Sequence, residues 1–402
     1  MATFDDLIQK LVQDGDAPGF AMLAKDKTGA FQYSRTVGNR SLEPGNEEPV
    51  RLDTVFALAS ASKLITTVAA LQAVDLGLLK LDDDVSAHVP VLASQDILCG
   101  FTWYGRPKMK PRRKAITLRG LLTQTVGAGY DFLDIHPLWR WRWWNRQSIA
   151  QGDCVEERFN YPLLHEPGEG WTYGSGITWA GKVLEAVSGM TLEEWVKEHI
   201  CRPLGLTSLT FFPDRDPEIS SRTATTSHRN AWTGKLEFIP GQSQPLPIGK
   251  DCLGGEGVYA TIEDLVAIVY SLLTDDEKLL KTHTAAMMFT RQLSYTERIP
   301  MRQCLSLQRW ICQGLLVKDE YEWTIGGVMV TGEGHQCLRP GTLLWTGLLH
   351  TVWWIDRKSG ICGAFSTQIL PAKDKVVVPL MKAFQEEVYV KFNQAMNREK
   401  GV

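Results

Sequence analysis

The chain of 402 residues carries 43 Lys and Arg against 46 Asp and Glu, a net charge of −3, and 44% of its residues are hydrophobic. That balance gives no electrostatic case for nucleic acid or an anionic membrane surface, and no apolar stretch is long enough to span a bilayer. The eight cysteines are scattered singly, without C-x-x-C pairs or histidines at ligand spacing. They indicate reduced thiols in a cytoplasmic protein and argue against both a metal site and a disulfide framework.

The opening MATFDDLIQKLVQDGDAPG is an amphipathic helical pattern with early acids, unlike a secretory signal. GFAMLAKDKTGAFQYSRTVGNRS then gives two strands around a turn at 26–29. In FALASASKLITTVAALQAVDLGLL (56–79), an apolar run leads into a helix that opens with Ser60, Ser62 and Lys63, and Ser60 is placed to cap it. The basic run RPKMKPRRKAITLR (106–119), interrupted by prolines, has the pattern of an exposed connection. LWRWRWWNR (138–146) holds four tryptophans in six positions. It suggests a helix whose indoles either pack between lobes or wall a pocket for a bulky apolar ligand.

Near the far end, 343–345, 349–356 and 361–370 are three strand-like runs, with a turn at 357–360 between the last two, and a closing helix covers 376–393. Strands at both ends imply an α+β fold. One antiparallel sheet combines 1–85 with 321–402, terminal helices flank it, and a mainly helical lobe (86–320) is inserted within a single catalytic domain (1–402).

Three segments carry chemistry. Ser60-Ala61-Ser62-Lys63 fits S-x-x-K, which on a helix puts both side chains on one face. The helix start favours a developing alkoxide. Lysine is a base near neutrality only if burial or a positive neighbour lowers its pKa from roughly 10.4. A chain of this length holds about one such spacing by chance, so the segment alone also fits a cap beside a snorkelling lysine.

In HEPGEGWTYGSG (165–176), small residues around Tyr173 allow a sharp turn that holds a phenol in a cleft, partly ionised beside a lysine. In TLLWTGLLH (342–350), Gly347 permits close approach of a ligand at a strand edge. The amide of the next residue, Leu348, pairs with that of Ser60 as a candidate oxyanion hole, worth about 10²–10³ in rate per donor. His350 either touches substrate or packs. Glu166 is either a general base or a surface carboxylate, and His165 has no evident partner.

In this order, the three segments resemble the serine β-lactamases and penicillin-binding proteins. LLTQTVG (121–127) and LGGEGVYAT (253–261) are similar to segments of the class C-like branch and its esterases. The W-x-G motif, the strand VWWID (352–356) and the run FSTQILP (365–371) are similar to fungal lovastatin-type acyltransferases. The resemblance, over about 15–390, implies an acylated Ser60 and general acid–base work shared by Lys63 and Tyr173. It also implies oxyanion donors at Ser60 and Leu348 and substrate contacts from Trp345, Gly347, His350, Ser175 and Trp171, with no cofactor.

Two departures are specific to this chain. Gly174-Ser175 follows the tyrosine where many relatives place asparagine at the third position, and Trp345 replaces the lysine that recognises a lactam carboxylate. The expected activity is therefore acyl transfer in fungal secondary metabolism, from a thioester donor to a hydroxyl of a small polyketide-type acceptor. The resemblance allows the donor to ride on a carrier domain of a polyketide synthase. A carboxylesterase of the same fold is the alternative, and an inactive binding relative the third reading.

Overall fold

The computed structural model describes residues 3–132, 137–242, 244, 248–313, 315–316, 320–334 and 337–399. Helix α1 (Phe4–Gln13) is capped by Thr3 and Asp6 in a reciprocal capping box. Strands β1 (Gly19–Asp26) and β2 (Gln32–Gly38) follow. Then come α2 (Lys63–Asp75), α3 (Pro137–Trp144), α4 (Gly176–Ser188) and α5 (Ile262–Thr274). Strands β3 (Tyr321–Trp323), β4 (Val328–Val330), β5 (Leu343–Gly347), β6 (Thr351–Asp356) and β7 (Ile361–Ser366) precede the closing helix α6 (Val377–Glu399).

The sheet order is β2-β1-β7-β6-β5-β4-β3, antiparallel throughout. The first and last strands of this sheet in chain order thus meet at β1–β7, with Ala21 opposite Ser366. Successive residues of a strand face opposite sides of a sheet. Trp353 accordingly pairs with Trp345 on one face, while Trp354 turns to the other and meets Phe384 of α6 edge-on at 5.6 Å. Both VWWID tryptophans are fully buried. They belong to the core and do not wall a pocket.

Helix α2 is buried on every side from Lys63 to Ala73. An apolar helix without a polar stripe belongs inside a protein, and here the one cation it carries is buried with it. Gly181 of α4 allows the two helices to approach, with Thr66 Cγ2 3.5 Å from where a Cβ would stand.

Two segments differ from expectation. The basic run is not a plain loop: Pro107–Lys110 pairs with Ile97–Phe101 as a hairpin. The tryptophan-rich segment is helical as expected, but Trp139, Trp143 and Trp144 are 47%, 69% and 37% exposed. They neither fill a lobe interface nor border the catalytic cavity. None of the eight cysteines is disulfide-bonded. Among the described residues, no helix is long and apolar enough to cross a membrane, and no cluster of His, Cys, Asp and Glu is placed to hold a metal.

Candidate active site

Ser60 lies within a short 3-10 turn, Ala59–Ser62, that runs into α2. Ala59 has φ +47°, a strained conformation for a residue with a Cβ. It bends the chain just before Ser60 and places the hydroxyl on a cavity instead of along the helix. The expectation that Ser60 caps α2 is corrected by this turn. The N-cap position is Ser62, which makes no side-chain cap bond and instead accepts from the Val258 amide at 3.0 Å. Being fully buried, Ser62 is also no rival nucleophile.

Lys63 Nζ stands 3.3 Å from Ser60 Oγ and donates to the Gly255 carbonyl at 2.8 Å and to Tyr130 Oη at 3.2 Å. It also lies over the Tyr173 ring, 4.8 Å from the centroid. Burial outweighs the nearby Glu256 carboxylate and brings the amine down to about 7 from 10.5. The LGGEG segment makes this possible. Thr66 donates to the Gly254 carbonyl, and Thr178 accepts from the Gly255 amide. A Cβ on Gly255 would fall 2.6 Å from Thr178 Oγ1, so only glycine brings that carbonyl to the lysine.

Tyr173 is hydrogen-bonded to Ser60 and receives the Trp345 indole N–H at 3.2 Å. Its burial raises the phenol well above its ordinary pKa, despite both hydrogen bonds. The phenol therefore stays protonated at neutral pH, contrary to the expected partial ionisation. A proton donor held against the nucleophile suits relay more than base work. Its loop rests on Gln124, a left-handed residue whose carbonyl accepts from Thr172 and whose side chain accepts from the Gly174 amide. A Cβ on Gly174 would come within 2.1 Å of the Ala128 carbonyl. The glycine after the tyrosine is thus fixed by the 128–130 loop, which delivers Tyr130.

The remaining candidates separate. Leu348 borders the same cavity as Ser60. Gly347 also permits a close approach, but the approaching group is the chain itself: a Cβ there would sit 2.1 Å from the Leu58 carbonyl. Trp345 is buried and its indole N–H donates to Tyr173. Trp171 stacks on Tyr173 at 6.3 Å and tilts against Trp323 at 5.7 Å, behind the phenol. Ser175 is fully buried and its amide donates to the Ala128 carbonyl at 2.9 Å. His350 is fully buried at φ +69°, its Nδ1 is 3.2 Å from the Ile369 carbonyl, and burial lowers its pKa to about 4. Trp171, Ser175 and His350 are not among the residues that border the cavity, and in this structure they pack as supports around it. Glu166 is no surface carboxylate: it is buried and accepts from the Arg113 and Lys114 amides. His165 bridges the Glu166 carbonyl and Thr172.

The cavity, of about 260 Å³, is walled mainly by Phe132, Trp310, Ile311, Leu348 and the two tyrosines. Its polar exception is Arg158 with Glu256, whose Nε and Oε1 lie 3.7 Å apart. Sequence reasoning missed Tyr130, Glu256 and Arg158. The first two sit within or just after segments singled out for their resemblance, LLTQTVG and LGGEGVYAT; no signal marked Arg158.

Comparisons with known proteins give the family. A family model described as Beta-lactamase matches residues 4–383. A lovastatin esterase of Penicillium rubens is 35% identical over 97% of this chain and 98% of its own length. A monacolin J acid methylbutanoyltransferase of Aspergillus terreus is 33% identical over 96% of this chain and 95% of its own. The unliganded simvastatin synthase structure from Aspergillus terreus superposes with a TM-score of 0.90 at 33% identity, covering 97% of this chain and 98% of that one. EstCE1, a hydrolase with promiscuous acyltransferase activity, shares the fold at a TM-score of 0.75 and 22% identity. With its S-x-x-K turn, buried lysine and late W-x-G strand, the chain belongs to the beta-lactamase family.

Proposed function

We propose that the protein is a serine acyltransferase that moves an acyl group from a thioester to a hydroxyl of a small polyketide-type acceptor through an acyl-Ser60 ester. The observation that carries this reading is a fully buried Lys63, brought down to about 7 by burial and so about half neutral at pH 7, 3.3 Å from Ser60 Oγ on an apolar cavity. Lys63 takes the hydroxyl proton as Oγ bonds to the thioester carbonyl. The amides of Ser60 and Leu348 receive the oxyanion, and the Tyr173 phenol relays the proton to the departing thiolate. Deacylation runs the same path backwards, with an alcohol in place of the thiol.

Relatives named as methylbutanoyltransferases support a short acyl group and a bulky acceptor for this chain too. The family resemblance read from the sequence extends this proposal to a donor that rides on an acyl-carrier domain. The apolar wall favours a bound alcohol over water. A specific observation favours a second reading, hydrolysis: the relative at 35% identity is named a lovastatin esterase. Incubating the enzyme with an acyl-N-acetylcysteamine and a panel of polycyclic alcohols separates the two. Ester product is expected; free acid alone across the panel would overturn transfer and leave the esterase.

A further inference from the structure

The net charge of −3 conceals a local segregation. Residues 97–114 contain six cations and residues 137–150 three, with no Asp or Glu in either stretch. The fold brings the two together. Arg140 of α3 lies 4.2 Å above the Phe101 ring, and Trp144 meets Tyr104 at 6.3 Å. Six cations here, Arg106, Lys108, Lys110, Arg113, Arg140 and Arg146, are exposed and form no salt bridge among the described residues. Between them stand Trp103, Tyr104 and Trp143, exposed by 96%, 51% and 69%.

Trp103 sits at the hairpin tip, which is closed by Thr102 N–H to the Arg106 carbonyl at 2.8 Å and Arg106 N–H to Thr102 Oγ1 at 3.0 Å. A closed tip cannot fold its indole back into the core. Exposed aromatics this concentrated mark an interaction surface. Its shape and composition choose the partner. Hot-spot tryptophans of protein interfaces sit in packed, desolvated pockets, and lysine is depleted there. Here the indole stands clear on a protruding turn, and lysines and arginines surround it. Trp and Tyr above a basic girdle are the residues that settle at a headgroup–acyl boundary, about 5–10 Å deep.

We propose that this hairpin and α3 form a docking surface for an anionic lipid bilayer. It flanks the catalytic cavity, whose wall includes Phe132 just before α3 and Ala150 just after it. An apolar substrate dissolved in the bilayer would then be collected beside the cavity. The surface is independent of the transfer-or-hydrolysis question.

The test is co-sedimentation of the whole protein with vesicles of phosphatidylcholine alone or mixed with phosphatidylserine, at low and high salt. Binding to the anionic vesicles is expected, weakened by salt. Lys108→Gln with Lys110→Gln should weaken it by roughly thirtyfold, taking about fivefold per cation. Trp103→Ser with Trp143→Ser should abolish the blue shift of tryptophan fluorescence on vesicle addition. All four positions are exposed, so Ser60 acylation by a short soluble thioester should be unchanged and reports intact folding. Wild-type protein left in the supernatant with both vesicle types at low salt overturns the proposal and leaves the patch to an acidic protein. So does binding that all the variants retain in full.

Discussion

Lys63 is surrounded by Ser60, Tyr130, Tyr173, the Gly255 carbonyl and, next in the chain, Glu256, whose own charge faces Arg158. A pKa of about 7 in place of 10.5 corresponds to about 5 kcal/mol of preference for the neutral amine. At pH 7, about half of the lysines would then be free to accept the Ser60 proton, against about one in 3,000 for an ordinary lysine. Single-turnover acylation of Ser60, followed by quenched intact-mass measurement from about pH 5 to pH 9, should rise through a midpoint near 7 and then level off.

Replacing Glu256 by Gln removes the carboxylate that favours the charged amine. The midpoint should move to lower pH while the plateau persists. Lys63→Arg keeps a cation that cannot lose its proton, and should cost at least about 10³ in rate. Rates that still climb tenfold per pH unit between about 8 and 9 would mean an ordinary lysine and refute the reasoning. A Glu256→Gln midpoint displaced upward would refute the assigned sign. Stability carries the same signature. The folded pKa lies below the unfolded one, so the unfolded chain binds the extra proton between 7 and 10.5, and stability rises with pH through that window. Lys63→Met should flatten that part of the Tm-against-pH curve.

Other perturbations have defined outcomes. Trp345→Phe removes the indole donor from Tyr173 and should slow acylation by roughly two- to tenfold with the fold intact, read by the same mass assay. Gly174→Ala forces a methyl group against the Ala128 carbonyl, where backbone must move; a loss of about 2 kcal/mol or more is expected, seen as a lowered Tm, with acylation impaired. Asp131→Ala strands Arg142, both 2% exposed and paired at 2.8 Å beside Tyr130; urea unfolding should show a loss of about 3–5 kcal/mol.

The terminal sheet was legible because most of its strands are short apolar runs, buried on both faces, and their turns carry Gly and Asp. The expected 343–345 and 361–370 became Leu343–Gly347 and Ile361–Ser366. Ser60, Lys63 and Tyr173 were legible because local spacing and segment order mark them. What escaped depends on long-range packing. Tyr130 reaches Lys63 from 67 positions away, and Glu256 and Arg158 meet only when the 253–257 turn closes over α2. Trp171, Ser175 and His350 have the residue types of substrate contacts, and only burial shows that they brace Tyr173, the 128–130 loop and the strand end. Charge was misleading in another way: a whole-chain average of −3 cannot show that six exposed cations without a salt bridge among the described residues and several exposed indoles stand on one hairpin and the helix beside it.

The most direct test of the central claim is intact-mass spectrometry of the protein mixed with a short acyl-N-acetylcysteamine, wild type beside Ser60→Ala. The account predicts a mass gain of one acyl group in the wild type, absent from the variant and discharged when an alcohol acceptor is added. An equal gain in Ser60→Ala would place the ester elsewhere, and a thioester that survives intact with no gain in either protein would contradict Ser60 as the nucleophile.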